Sequence, residues 1–209
     1  KLSEKEFYIG MGETAENLAQ ELSISREDQE EFAINSHKKA LKSQLDGKFD
    51  NEIVSITVNG EDVSKDEGPR EPDIEKIKSL KPAFDVNGTI TPATSSPISI
   101  GASMLAISSE DGARDLGLTP KFRILGRAVA GVDWKLMGQG PLPASNKALK
   151  RAGMSINDID CIELNEAFAA QSLYVIRKGS WDIDKVNLNG GAIALGHPLG
   201  CSGARILVT

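Results

Sequence analysis

A glycine-rich stretch surrounding a histidine is the densest group of residues that could carry chemistry. Residues 189–205 read NGGAIALGHPLGCSGAR, and His197 stands between Gly196 and Pro198. Closely spaced glycines let the backbone turn tightly and approach a ligand. A neutral imidazole on such a loop can donate a hydrogen bond to a developing oxyanion or move a proton near pH 7. The alternative is a structural turn in which the imidazole only caps a helix.

A second polar pair, Asn165 and Glu166, falls where a predicted strand meets a predicted helix. Asn165 can cap that helix, or its amide can hold a water molecule or a carbonyl oxygen at a site. Glu166 can cap as well, or ionise toward a ligand. His197 and Cys201 supply only two of the four ligands that a structural zinc site needs, so no metal is expected.

Composition excludes several other classes of protein. The 209 residues suffice for one or two domains with a core, and 40% hydrophobic and 26% charged residues argue against a disordered or fibrous chain. A net charge of −6 without a basic block predicts no nucleic-acid or membrane partner. No apolar stretch is long enough to span a membrane, and there is no secretory signal. Two cysteines cannot form a disulfide framework, so we expect a reducing, cytoplasmic compartment.

Hydrophobic spacing places these candidates among alternating helices and strands, which predicts an α/β fold. Helices are predicted over 13–47 (with a capping box at Ser25 and Asp28), 109–117, 143–153 and 165–179, and strands over 53–58, 101–107, 121–132, 159–164 and 186–188. Residues 61–82 are polar and are expected to be exposed and irregular. His37, on a predicted helix, is expected to be a surface residue.

Two of these motifs together resemble the thiolase family. Asn165 opens the sequence NEAFAA, and residues 190–205 read GGAIALGHPLGCSGAR. The resemblance continues in MGxTAEN at 11–17, SRExQ at 25–29 and KPAF at 81–84, and it is closest to the acetyl-CoA acetyltransferase branch. It implies a thiolase-like layered α/β fold, present in part, with a loop domain over the CoA site, and an assembly that is a dimer or a tetramer built from dimers.

The resemblance also implies roles for six residues. His197 would activate the nucleophilic cysteine and donate to the thioester oxygen, and Asn165 would hold a water at the oxyanion site. The other four would bind CoA or line the pocket: Ser96 near the pantetheine arm, Met11 and Phe168 in the pocket, and Lys81 near the nucleotide end. Lys81 stands where relatives often have arginine, which keeps the charge but loses the bidentate fork. CoA thioesters are substrates, so no further cofactor is implied.

Several positions depart from the family pattern. The two family cysteines, one that takes the acyl group and one in a CxG motif, are not among these 209 residues. Cys201 stands where relatives tolerate alanine and is interpreted as a packing residue, and Cys161 as an inert core residue of a strand. Ile100 replaces the usual aspartate of its motif, and Gly10 stands where relatives often have histidine.

The resemblance predicts an acyltransferase that forms or cleaves acetoacetyl-CoA by ping-pong thioester chemistry. The alternatives are a 3-ketoacyl-CoA thiolase of fatty-acid breakdown and a non-catalytic CoA-binding protein. Residues 1–99 would be the loop domain, 100–120 the end of the N-terminal half, and 121–209 the truncated C-terminal half. The chain begins at Lys1 and ends within an apolar run, so we expect it to be part of a longer protein and to be inactive alone. Its expected partners are acetyl-CoA, acetoacetyl-CoA and further copies of itself.

Overall fold

The computed structural model describes residues 7–209, so the first six residues of the predicted loop domain lie outside it. Its helices are α1 (Met11–Glu21), α2 (Arg26–Leu45), α3 (Ile74–Ser79), α4 (Glu110–Asp115), α5 (Pro141–Ala152), α6 (Ala169–Gly179), α7 (Ala192–Leu195) and α8 (Ser202–Val208). Two short strands, β1 (Ile56–Val58) and β2 (Glu61–Val63), pair antiparallel. Short 3-10 segments occupy Pro92–Thr94, Trp134–Gln139, Ile156–Asp158 and Ile183–Lys185, the second of them kinked at Leu136.

The long helix α2 begins and ends where its local sequence predicts. The Ser25 hydroxyl accepts from the Asp28 backbone N–H at 3.0 Å, and the Asp28 carboxylate accepts from the Ser25 N–H at 3.4 Å. This reciprocal pair satisfies two N–H groups that a helix start leaves without partners. Gly47, with φ of +68°, follows the last turn in the left-handed conformation that favours glycine.

The hairpin of β1 and β2 occupies part of a region predicted to be strand and then irregular. Asn59 and Gly60 form its turn with φ of +54° and +88°, the pattern of a tight type I′ hairpin. The predicted strand over 53–58 is therefore shorter than expected. The expectation for 61–82 is wrong in part, because β2 and α3 both form there.

Helices α1, α2 and α6 enclose most of the apolar core. One cluster joins α1 to α6 and to the loops beside them, and its buried members are Ala15, Leu18, Ala19, Ile24, Ile90, Ala170, Leu173 and Tyr174. Helix α2 packs against both α6 and α7, and its Phe32 contacts all three core clusters. These helices hold the starts of α1 and α6 and the glycine-rich loop beside one another.

Two of the predicted strands are absent from the described chain. Residues 101–107 and 121–132 run without regular hydrogen bonding, and their apolar side chains are exposed, as in Met104 (91%) and Phe122 (90%). A strand needs a neighbour for its backbone N–H and C=O groups, and no segment within 7–209 pairs with either run. The strands expected over 159–164 and 186–188 are reduced to one parallel bridge between Ile162 and Val186.

The described chain is nevertheless a mixed helix-and-sheet structure built around that core, as the α/β prediction requires. The domain boundaries expected at residues 99 and 120 stay a prediction. Among residues 7–209, no helix has the length and apolar character of a membrane span.

Candidate active site

Five of the six predicted site residues line a single cleft of about 820 Å³. These five are Met11, Ser96, Asn165, Phe168 and His197. They come from the start of α1, the loop after Pro92–Thr94, the segment before α6 and the loop after α7. The sixth, Lys81, is exposed and does not line this cleft.

Asn165 is positioned by a side chain that takes the place of a strand neighbour. Asn187 accepts from the Leu164 backbone N–H through Oδ1 and donates to the Leu164 carbonyl through Nδ2, each at 2.8 Å. This pairing fixes the backbone immediately before Asn165. Of the two roles predicted as alternatives for Asn165, capping α6 is wrong, because Phe168 is the N-cap residue and the chain stays extended as far as its bridge to Ser95. The Asn165 amide is thereby left to the cleft.

Glu166 faces the interior, does not line the cleft and does not cap α6; its carboxylate instead accepts an N–H group from the first turn of α7. Its side chain is 2% exposed and accepts from Ser36 Oγ at 2.7 Å, Asn187 Nδ2 at 2.8 Å and Ile193 N at 3.1 Å. Burial raises the pKa of this carboxyl, against the lowering effect of the three hydrogen bonds. A Cβ at Gly191 would lie 2.1 Å from its Cδ, so the loop approaches this closely only as glycine.

His197 is held from its backbone and from its ring. Its N–H donates to Ser99 Oγ at 3.3 Å, and Nδ1 lies 2.5 Å from Ser202 Oγ at the start of α8. Gly196, with φ of +100°, makes the turn that brings the ring to the cleft. Burial lowers the pKa of His197, and the nearby Arg205 guanidinium lowers it further, so the ring is neutral near pH 7.

The Asn165 amide lies beside this ring. Its Nδ2 is 3.5 Å from Nδ1 and 3.4 Å from Nε2 of His197. Its Oδ1 is buried without a hydrogen-bond partner among the described residues. A neutral imidazole and an amide at one wall of a largely apolar cleft can together move a proton and stabilise an oxyanion.

Sequence reasoning missed Glu163, which lines the same cleft. Its carboxylate lies 3.5 Å from Arg205 Nη1, and burial raises its pKa to about 7 although Arg205 acts in the opposite direction. The available signal was an acidic residue between Ile162 and Leu164 in a predicted buried strand.

The exposure of two further side chains, Cys161 and His37, differs from what the sequence predicts. Cys161 is exposed, because only one bridge forms in its predicted strand, whereas Cys201 is buried as expected. His37 is 6% exposed rather than on the surface, and its Nδ1 accepts from the Arg70 N–H at 3.4 Å. Burial lowers the pKa of His37 to about 4. Helix α2 has few apolar residues, so its sequence did not reveal how much of it is enclosed.

Comparison with known proteins gives two family matches and several solved structures. Residues 2–111 match the thiolase N-terminal domain, and residues 118–209 match the thiolase C-terminal domain. The structure is similar to the acetyl-CoA acetyltransferase of Bacillus anthracis, with a TM-score of 0.91, 48% identity and coverage of 96% of this chain and 52% of that one. Human mitochondrial 3-ketoacyl-CoA thiolase in complex with CoA gives a TM-score of 0.91 at 39% identity, over 98% of this chain and 52% of that one.

Curated relatives agree with these structures. The 3-ketoacyl-CoA thiolase of Idiomarina loihiensis is 53% identical over 210 residues, which cover 95% of this chain and 54% of that protein. A probable acetyl-CoA acyltransferase of Staphylococcus aureus is 51% identical over 205 residues, covering 95% of this chain and 52% of that protein. The chain thus spans about half the length of the relatives it matches. The predicted thiolase-like fold is confirmed, and the chain belongs to the thiolase family.

Proposed function

We propose that the protein containing this chain is an acyltransferase that cleaves and forms 3-ketoacyl-CoA thioesters, with acetoacetyl-CoA as its substrate. The observation that carries the proposal is the contact between the Asn165 amide and the His197 ring at the wall of one apolar cleft. Thioester cleavage needs a group that accepts a thiol proton and donors that stabilise the oxyanion. A neutral imidazole beside an amide supplies both functions.

In this proposal His197 activates the thiol and then donates to the thioester oxygen, and Asn165 holds the water that completes the oxyanion site. Ser96, Met11 and Phe168 line the cleft and contact the pantetheine arm or the acyl group. Lys81 is exposed outside the cleft, where a cation can meet the phosphates of the nucleotide end. The chemistry uses CoA thioesters as substrates and no further cofactor. A cytoplasmic location and assembly into a dimer or tetramer remain predictions.

A 3-ketoacyl-CoA thiolase of longer chains is the second candidate. It is favoured by relatives of that name at 53% identity, whereas the acetoacetyl-CoA proposal draws on the Bacillus anthracis acetyl-CoA acetyltransferase at 48% identity. The two are separated by measuring thiolysis of 3-ketoacyl-CoA substrates of increasing length with the full natural reading frame that contains residues 1–209. A kcat/KM that is highest for acetoacetyl-CoA supports the first candidate, and one that rises with chain length supports the second.

Replacement of His197 tests the assignment of the site. In the same full-length protein, His197→Ala should lower kcat for acetoacetyl-CoA cleavage on the order of 10²–10³-fold, because an oxyanion donor and a proton acceptor are both lost. His37→Gln is the matched control, since it removes the other histidine, which lies outside the cleft. Undiminished cleavage by folded His197→Ala protein would show that the role given to His197 is wrong. Absence of cleavage by the unsubstituted protein would favour a non-catalytic CoA-binding role.

A further inference from the structure

The two ring nitrogens of His197 have different neighbours. Nδ1 lies 2.5 Å from Ser202 Oγ, and that hydroxyl also lies 3.1 Å from the Pro198 carbonyl oxygen. The Asn165 amide nitrogen lies 3.4 Å from Nε2 and 3.5 Å from Nδ1, so it does not distinguish the two ring nitrogens. The Ser202 hydroxyl, which can donate or accept, is therefore the neighbour that contacts one ring nitrogen selectively.

The Ser202 hydroxyl allows two positions for the proton of the neutral ring. In the first, the hydroxyl donates to the Pro198 carbonyl, which also accepts the Cys201 and Ser202 backbone N–H groups, and its oxygen accepts from Nδ1–H, so that Nε2 is unprotonated. In the second, the hydroxyl donates to Nδ1 and the proton is on Nε2. Only the first arrangement leaves Nε2 able to accept the proton of a thiol.

We propose that Ser202 is a positioning residue that keeps the proton of His197 on Nδ1 and leaves the Nε2 lone pair facing the cleft. The inference rests on the proposed function, because only a thiol in the cleft gives that lone pair a use. When the thiol reacts, its S–H bond breaks, the electron pair stays on sulfur and the proton goes to Nε2. The resulting imidazolium keeps Nδ1–H bonded to Ser202, so no hydrogen bond is lost as the ring becomes charged.

Burial and the first turn of α8 restrict the orientation of the Ser202 side chain. The residue is 5% exposed, and its backbone N–H donates to the Pro198 carbonyl at 2.9 Å in the first turn of α8. This turn places the hydroxyl against the ring of the histidine five positions earlier. A buried hydroxyl in a fixed turn holds the ring orientation and the tautomer together.

His37 provides an internal reference for the opposite tautomer. Its Nδ1 accepts from the Arg70 N–H at 3.4 Å, so the proton of this neutral ring is on Nε2. The chain has only these two histidines, so a sample labelled with ¹⁵N at histidine contains two imidazole rings. His37→Gln assigns the signals of the ring that remains.

The test is the ¹⁵N spectrum of both rings at about pH 8, where histidines of ordinary or lowered pKa are neutral. We expect one ring protonated on Nδ1, His197, and one protonated on Nε2, His37. In Ser202→Ala protein the His197 signals should move toward an Nε2–H form, because Nδ1–H has lost its acceptor. Ser202→Thr should restore the Nδ1–H form, and Cys201→Ala, a buried change at the neighbouring position, should leave both rings unchanged.

The outcomes separate this inference from the proposed function. An Nε2–H tautomer at His197 in the unsubstituted chain overturns the inference whatever the activity, and so does an unchanged tautomer in folded Ser202→Ala protein. In the full-length protein, Ser202→Ala should lower kcat by at least about tenfold with little change in KM, and Ser202→Thr should recover it. If His197→Ala leaves catalysis intact while the tautomers are as expected, the proposed function fails and the hydrogen-bond assignment stands.

Discussion

The glycine-rich loop and the segment from residue 98 to residue 132 are both rich in small and apolar residues, yet they fold in opposite ways. In the loop, Ala192, Ile193 and Ala194 are at most 3% exposed. In the segment, Ile98 and Ile100 are fully exposed, and Phe122 is 90% exposed. The difference shows that apolar character does not decide burial by itself. What decides it is whether the backbone of each region finds partners for its polar groups.

The loop finds those partners in side chains from distant parts of the sequence. Ser36 of α2 accepts from the Gly191 N–H at 3.0 Å and donates to Glu166, which in turn accepts from the Ile193 N–H at 3.1 Å. Three segments are thus joined through one carboxylate. The 98–132 segment has no such group, and apart from the short helix α4 it stays extended and exposed.

The largest expected effect comes from removing that carboxylate. Glu166→Ala should lower the free energy of unfolding by about 3 kcal/mol or more, because Ser36 Oγ, Asn187 Nδ2 and Ile193 N all lose a buried acceptor. Urea unfolding of the chain followed by circular dichroism measures this change. The variant breaks the feature that distinguishes the loop from the exposed segment.

Glu110→Ala is the matched control, since it removes the same side chain from α4 within the exposed segment. The Glu110 carboxylate is 3.8 Å from Arg123 with both side chains largely exposed, so its loss should change stability by no more than about 0.5 kcal/mol. Equal effects of the two substitutions would mean that the loop does not depend on its buried carboxylate.

The contrast between local and distant hydrogen-bond partners also explains which elements the sequence predicts correctly. The capping box of α2, the Ser109 cap of α4 and the left-handed Gly153 after α5 are formed within a few neighbouring residues, and the sequence predicts the box and the helix limits at residues 109 and 153. The predicted strands over 101–107 and 121–132 depend on partners elsewhere, which local alternation of residues cannot supply. Local sequence therefore indicates these three caps and turns, although not the start of α6, and it does not supply strand pairing.

The candidate site also has features that the sequence predicts and features that depend on contacts between distant segments. The motifs around Asn165 and His197 predicted that these residues belong to one site, and the structure places them in contact. The buried state of His37, the raised pKa of Glu163 and the contact between Ser202 and the His197 ring all depend on how separate segments pack. Spacing along the chain carries no signal for such features.

An intermediate effect is expected in the pH dependence of the free energy of unfolding, because burial shifts the pKa values of two side chains, His37 and Glu163. Burial lowers the pKa of His37 to about 4, so its contribution is present above its ordinary value near 6.5 and is lost as the pH falls through about 4. Burial raises the pKa of Glu163 from about 4.5 to about 7, so its contribution is present below about 4.5 and is lost as the pH rises through about 7. Between these limits the two contributions oppose each other.

Single substitutions should expose the two opposing slopes. Between about pH 7 and pH 5, His37→Gln should gain stability on acidification relative to the unsubstituted chain, and Glu163→Gln should lose it, each on the order of 1–2 kcal/mol. Urea midpoints measured across this range give the slopes. Parallel curves for the three proteins would show that neither group is perturbed by burial.

The smallest expected effect on stability is that of substitutions in the exposed 98–132 segment. These substitutions test directly whether that segment, unlike the glycine-rich loop, lacks packing partners. Phe122→Ser and Ile124→Ser remove side chains that are 90% and 65% exposed, so each should change the free energy of unfolding by less than about 0.5 kcal/mol. Both should reduce binding of a hydrophobic dye and slow aggregation of the chain, because contiguous exposed apolar surface promotes association. A loss of more than about 1 kcal/mol in either variant would mean that these side chains already pack against a partner in solution. In that case both regions would have packing partners, and the 98–132 segment would differ from the glycine-rich loop only in that its partner lies outside the described residues.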